Sequence, residues 1–168
     1  MGGNLNKHTK VLINALLLIG WASLIAIASS QPYTDQDLRP MLGELNNNWV
    51  ECFFGWVSFS YGTSTIRIEE IGAAAFLEFF IRKSTHVVVF FILGFLVMRL
   101  FSAFRMSLRI SAPVAFLSVF IFAAMDEYRH FLHPERTGLL EDVVLDGSGG
   151  ALGIAVYIFW RAQKKIEK

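Results

Sequence analysis

Cysteine is almost absent from this 168-residue chain. The single residue, Cys52, excludes an intramolecular disulfide, so no covalent framework holds the fold together. Its expected place is that of a small, partly buried hydrophobe. Charge is also scarce: Asp, Glu, Lys and Arg make up 17% of the chain, against 54% hydrophobic residues that include 16 Phe. That balance, with a mean hydropathy of +0.49, is too apolar for an ordinary soluble domain and reads as a polytopic membrane protein. No internal repeat, low-complexity tract or linker divides the sequence, so a single domain over residues 1–168 is expected. The formal net charge of +1 says little as a sum, because membrane proteins distribute basic residues by side of the bilayer.

Four stretches can span. Val11 to Ser30 carries no formal charge and follows Lys7, His8 and Lys10. A signal peptide is the alternative, with Ala26 and Ala28 as an A-x-A site, but the apolar region is long for a cleaved signal. The second span runs from Ser84 to about Leu100 and contains one ionisable residue, His86. The third, Ile110 to Met125, covers only about 24 Å against a hydrocarbon core of about 30 Å. Asp126 and Glu127 are therefore expected at or slightly inside the boundary. The fourth, Asp142 to Trp160, holds Asp146 one turn inside its start, and Gly149 with Gly153 forms a G-x-x-x-G pair that permits close backbone approach. With flanking residues the spans are set at about 11–30, 84–104, 108–127 and 142–161.

Threading four helices alternately puts Lys7, Lys10, Arg99, Arg105, Arg109, Arg161, Lys164, Lys165 and Lys168 on one side, which is then the cytoplasm, with both termini inside. The loop at 31–83 falls outside, with seven acidic residues against four basic ones. It is too long to be a passive connection. Gln31-Pro32 ends the first helix. Val57, Phe59 and Tyr61 alternate with Ser58 and Ser60 before Gly62-Thr63 and the stretch Thr65 to Ile68, which predicts a short β-hairpin. Glu69 to Lys83 reads as an amphipathic helix, lying along the interface or running straight into the second span, with Glu78 and Arg82 spaced as an i, i+4 ion pair. Trp21, Trp49, Trp56 and Trp160 read as packing or interfacial residues.

This topology collects Lys83, His86, Asp126, Glu127, His130, His133, Arg136, Asp142 and Asp146 near the outer boundary. Intramembrane charge is costly, at about 2.5–3.5 kcal/mol per residue at a helix centre, so the group should be internally paired and face the bundle. Asp142 and Asp146 share a helix face at i, i+4, as do Asp126 and His130, while Lys83 and His86 lie one turn apart. Pro134 ends the third helix, and Arg136 precedes a Thr137-Gly138 turn. Three readings fit these residues. Lys83 and Arg136 bind an anionic headgroup while His86 and a carboxylate transfer protons; Asp126, His130, His133 and an aspartate of the fourth helix ligate a metal; or the charges form an ion-pair network that fixes helix register.

At these residues the chain resembles the VanZ-like family of bacterial membrane proteins. The motifs are Lys83-Ser-Thr-His86, Asp126-Glu127-Tyr-Arg-His130, Phe131-Leu-His-Pro134-Glu-Arg136, Asp142, Asp146 and Gly149-Gly150, over about 70 residues. Ser29-Ser30-Gln31-Pro32 is similar to members from Gram-positive bacteria and extends the likeness to most of the chain. His130 departs from the pattern, standing where the family usually has Gln; because Gln is a poor metal ligand, this weakens the metal reading. The resemblance implies an all-α integral membrane fold, a four-helix bundle with a structured extracytoplasmic loop, in a bacterial plasma membrane. It further implies an envelope role linked to low-level resistance to the glycopeptide teicoplanin. Some relatives carry a phosphotransbutyrylase label, which nothing in this sequence supports, since no phosphate-cradling Gly loop is present. The expected partners are membrane lipids and a lipid-linked cell-wall or teichoic-acid-type component, with no nucleic acid and no cofactor. As a binding module the site would use Lys83, Arg136, His130 and Asp146; as a hydrolase or transferase it would add His86, Asp126, Glu127 and Asp142.

Overall fold

A computed structural model describes residues 6–44, 48–132 and 138–166. His133, Pro134 and Arg136 lie outside the described residues. Among the described residues, four helices are long and apolar enough to cross a membrane: α1 (Lys7–Ser29), α5 (Ala73–Ala103), α6 (Leu108–Leu132) and α7 (Leu140–Ile166). Between α1 and α5 come a 3-10 turn at Tyr33–Gln36, the short helices α2 (Arg39–Gly43) and α3 (Asn48–Phe54), strands β1 (Ser58–Tyr61) and β2 (Ser64–Arg67), and α4 (Ile68–Ile71). The architecture is therefore a four-helix membrane bundle with a small hairpin at one end, as the composition and alternation predict.

Local chemistry sets the boundaries. α1 stops before Pro32, which has no N–H to donate and disfavours helix in the residue before it. The hairpin pairs Phe59 with Ile66 and Tyr61 with Ser64, so its aromatic positions fall on one face. Its two-residue connection places Gly62 at φ 59°, the conformation a tight hairpin turn requires of its first residue. Gly72, at φ 80°, breaks α4 from α5.

α5 has 31 residues, about 46 Å of helix, and so exceeds a bilayer core by roughly three turns. Of the amphipathic helix expected at 69–83, residues 73–83 run straight into the second span, while Gly72 sets residues 69–71 apart in α4. Its excess turns carry a second core, in which Phe76 is buried with Val50, Ile66 and Ile68, and Phe59 and Tyr61 meet Phe79 at ring-centroid distances of 5.8 and 5.2 Å. Cys52 differs from expectation. It is exposed on α3, because Val50 supplies the contact that helix makes with the second core.

α6 continues beyond its apolar span to Leu132, about 37 Å over 25 residues, in keeping with a helix ended by Pro134, and Asp126, Glu127 and His130 are buried on its last turns. The charges do not terminate the helix because each is bonded within the protein. α7 packs chiefly on α5, both running away from the hairpin end, through backbone approach at glycine. A Cβ at Gly149 would lie 2.5 Å from the Val87 carbonyl oxygen, and one at Gly153 would strike the Phe91 carbonyl. The G-x-x-x-G pair is thus the seam of the bundle's main interface.

Candidate functional site

The parallel course of α5 and α7 brings their polar residues opposite one another as rungs. Lys83 Nζ donates to Asp142 Oδ1 at 2.5 Å, and one turn deeper His86 Nδ1 lies 3.2 Å from Asp146 Oδ1. The spacing explains the match: three residues on α5 and four on α7 each advance about one turn. Tyr61, at the hairpin tip, donates its hydroxyl to Asp142 Oδ1 at 2.6 Å, and its ring lies 4.6 Å from the Lys83 ammonium. The outer rung is closed: the Lys83 side chain is 16% exposed, held by carboxylate and aromatic face together. Burial, followed by the hydrogen bond to Asp142, keeps the Tyr61 phenol protonated far above its ordinary range.

The α6 residues divide into three tasks. Asp126 accepts from Arg129, which also donates to Ser29 Oγ at 2.8 Å and to the Ala26 carbonyl at 3.3 Å, tying α6 to α1. Glu127 Oε1 accepts the Leu139 N–H at 2.7 Å, satisfying a backbone donor at the start of α7. Its other oxygen lies 3.2 Å from His130 Nδ1. The His130 and His86 rings approach edge to face, with centroids 6.3 Å apart.

A cavity of about 370 Å³ opens between α1, α5 and α6, within the size range of small-ligand pockets. Its depth is apolar, walled by Trp21, Leu24, Ile25, Val89 and Phe90; toward the hairpin end its walls become polar, with Gln36, Glu78, Arg82, His86, Asp126 and His130. The sequence-predicted constellation is therefore split. His86, Asp126 and His130 face this cavity, whereas Lys83 lines a separate groove beneath the hairpin and, with Asp142, forms the closed rung. Glu127 and Asp146 stand behind the two histidines, each beside a ring Nδ1. Nothing in the described residues places Arg136 or His133. Also among the described residues, no group of three His, Cys, Asp or Glu converges as a metal set.

Sequence reasoning missed Arg82, Gln36 and Trp21 as cavity walls. The signal was present for one: Glu78, Arg82 and His86 recur at four-residue spacing and share a face of α5. Above the cavity, Glu78 is 4% exposed and gathers Arg82 at 3.0 Å, the Tyr33 hydroxyl at 3.0 Å, the Leu38 N–H at 3.4 Å and Arg39 at 3.6 Å. The strap at 33–39 is thereby fastened over the cavity. The Tyr33 phenol is pushed up, by burial first and then by Glu78. The paired hydrogen bonds from Arg39 hold the Asp37 carboxyl down at about 2.

A VanZ/LLP1 family model matches residues 14–161, from within α1 to near the end of α7. The chain belongs to the VanZ/LLP1 family. No curated protein and no solved structure matches it. The VanZ/LLP1 match runs over all four spans and the strap and hairpin between the first two, so the cavity and both rungs fall inside the family region. Within this VanZ/LLP1 chain the chemistry available at the cavity is specific. Arg82 offers a guanidinium fork suited to phosphate or carboxylate, and His86, oriented at Nδ1 by buried Asp146, turns a ring edge able to exchange a proton toward the cavity.

Proposed function

We propose that this VanZ/LLP1 protein binds an anionic, lipid-linked surface component, with its hydrocarbon part in the cavity and its head at Arg82 and His86, and that it thereby alters susceptibility to glycopeptides such as teicoplanin. The observation that carries this reading is the cavity itself, apolar at depth and polar at the hairpin end, the profile of an amphiphile. An incoming phosphate exchanges with Glu78 on Arg82, one anion replacing another on the same fork. Arg136, three residues before Leu139 in sequence, is proposed as a second cation for the head. Lys83 and Asp142 serve the fold. The basic residues at the terminal end orient the hairpin outward in a bacterial plasma membrane, where lipid-linked wall or teichoic-acid-type components reside.

A second reading adds turnover. It is favoured by the Asp146–His86 pair, in which His86 acts as general base or acid on a bound ester or phosphoester. Binding of a fluorescent phosphatidylglycerol to protein in nanodiscs, with teicoplanin susceptibility of cells, tests both. Arg82→Gln is expected to weaken binding and protection at unchanged membrane abundance. His86→Gln, whose amide still offers the head a hydrogen bond but cannot exchange a proton, is expected to keep binding; loss of protection by that variant selects turnover, and retained protection selects binding alone. Full binding and full protection in Arg82→Gln would refute the headgroup assignment.

A further inference from the structure

The cavity has unequal boundaries. Toward the hairpin end it is covered by the strap, which Glu78 fastens through Tyr33, Leu38, Arg39 and Arg82. Gln36, also on the cavity wall, donates to the Ala28 carbonyl at 2.8 Å and closes the strap onto the end of α1. At depth, Trp21 Nε1 donates to the Val89 carbonyl at 3.0 Å and bolts α1 to α5. Between these two closures the α1–α5 seam carries no such bond among the described residues. There Leu24 and Ala28 on α1 and Ile81 and Thr85 on α5 line the cavity and are at the same time exposed, Leu24 at 59% and Ile81 at 41%. Ile81, Thr85 and Val89 also line a shallow groove on the outer face of α5. Cavity and bilayer-facing surface are continuous through the seam.

We infer that the α1–α5 seam is a lateral portal through which the ligand enters from the surrounding bilayer leaflet rather than from water, so that its occupant is a membrane-resident amphiphile. This rests on the lipid-binding reading above and adds to it the ligand's source and route. The two small residues, Ala28 and Thr85, leave the gap, and the apolar residues around them present a hydrocarbon chain with no dehydration cost on passage. A water-soluble phosphate would instead have to part the strap and displace Glu78 from four partners.

The test uses the full chain with Cys52→Ser, reconstituted in phosphatidylcholine liposomes containing a photoactivatable phosphatidylglycerol. A cysteine at the portal, Thr85→Cys or separately Ala28→Cys, is reacted with pyrene maleimide after reconstitution, so the plug is added to folded protein. Ser118→Cys, exposed on α6 away from the cavity walls, is the modification control. The expected result is labelling of the Trp21–Ile25 and Val89–Phe90 peptides that unlabelled phosphatidylglycerol competes away. Either portal plug should cut it at least tenfold, and the Ser118 control should leave it unchanged. Aqueous glycerol 1-phosphate should not compete. Competable labelling that survives both plugs, or that glycerol 1-phosphate abolishes, overturns the portal and leaves lipid binding standing. Absence of competable labelling in the unplugged protein overturns both.

Discussion

Replacing Asp142 by Leu removes the carboxylate that holds two partners at once, the Lys83 ammonium at 2.5 Å and the Tyr61 hydroxyl at 2.6 Å. Breaking a buried ion pair by deleting one member costs about 3–5 kcal/mol, chiefly because the other charge is left without compensation. Lys83 is 16% exposed and its flexible stem can move the ammonium part of the way toward water, which favours the lower end, about 3 kcal/mol. The unpaired phenol of Tyr61 adds to this. In Lys83→Met/Asp142→Leu no charge remains, so the double variant should recover about 2 kcal/mol relative to the sum of the single changes. The assay is unfolding free energy in bicelles, by denaturant titration or steric trapping, for the two single variants and the double. A cost below about 1 kcal/mol for Asp142→Leu, or strict additivity of the cycle, would show a solvated Lys83 and refute the closed rung.

Gly153→Val forces a side chain against the Phe91 carbonyl and is expected to destabilise by at least about 1–3 kcal/mol; membrane abundance and thermal unfolding check it, with exposed Gly20, which has open space around its Cβ position, as the comparison. The Asp37 carboxyl, held at about 2 against an ordinary 3.8, contributes strap stability that is complete above pH 4 and lost as pH falls toward 2. Hydrogen exchange at the Arg39 amide, which donates to Asp37 Oδ1 at 2.9 Å, should lose protection in that window, and Asp37→Asn should remove the dependence. Reporter fusions after Lys10, Phe104 and Lys164 are expected to behave as cytoplasmic, because basic residues cluster at those ends; an external signal from all three would reverse the orientation.

The bundle was legible because its determinants are local. Four apolar runs, the alternation of Phe59 and Tyr61 around serines, and the Gly149/Gly153 spacing each dictate a structure within a few residues, and the structure has all three. The end of α6 was marked by Pro134, but the partners of its charges were not legible, since spacing alone does not assign Arg129 to Asp126 or the distant Leu139 N–H to Glu127. Spacing also placed Lys83 with His86, one turn apart on the same helix. It could not show that the two rungs open on different spaces: both residues pair with α7, but Lys83 is closed in under the hairpin, while His86 also borders the cavity between α1, α5 and α6. That division depends on how α1 docks, and α1 is so apolar that its sequence does not mark which side meets α5. Glu78 read as half of an i, i+4 ion pair with Arg82, which is present, but its further role as the hub of the strap was hidden because its partners Tyr33 and Leu38 are 45 and 40 residues distant in sequence.

The cavity is proposed to hold one anionic amphiphile, and the count of lipid retained per chain tests this without an intermediate step. Native mass spectrometry of protein released from membranes in mild detergent should show one anionic lipid bound to the wild-type chain. Val89→Trp, which fills the apolar depth while leaving the Val89 carbonyl to accept from Trp21, should carry none at equal abundance and helicity. Equal retention by the two proteins, or no anionic lipid on either, would mean that the cavity is not a lipid site.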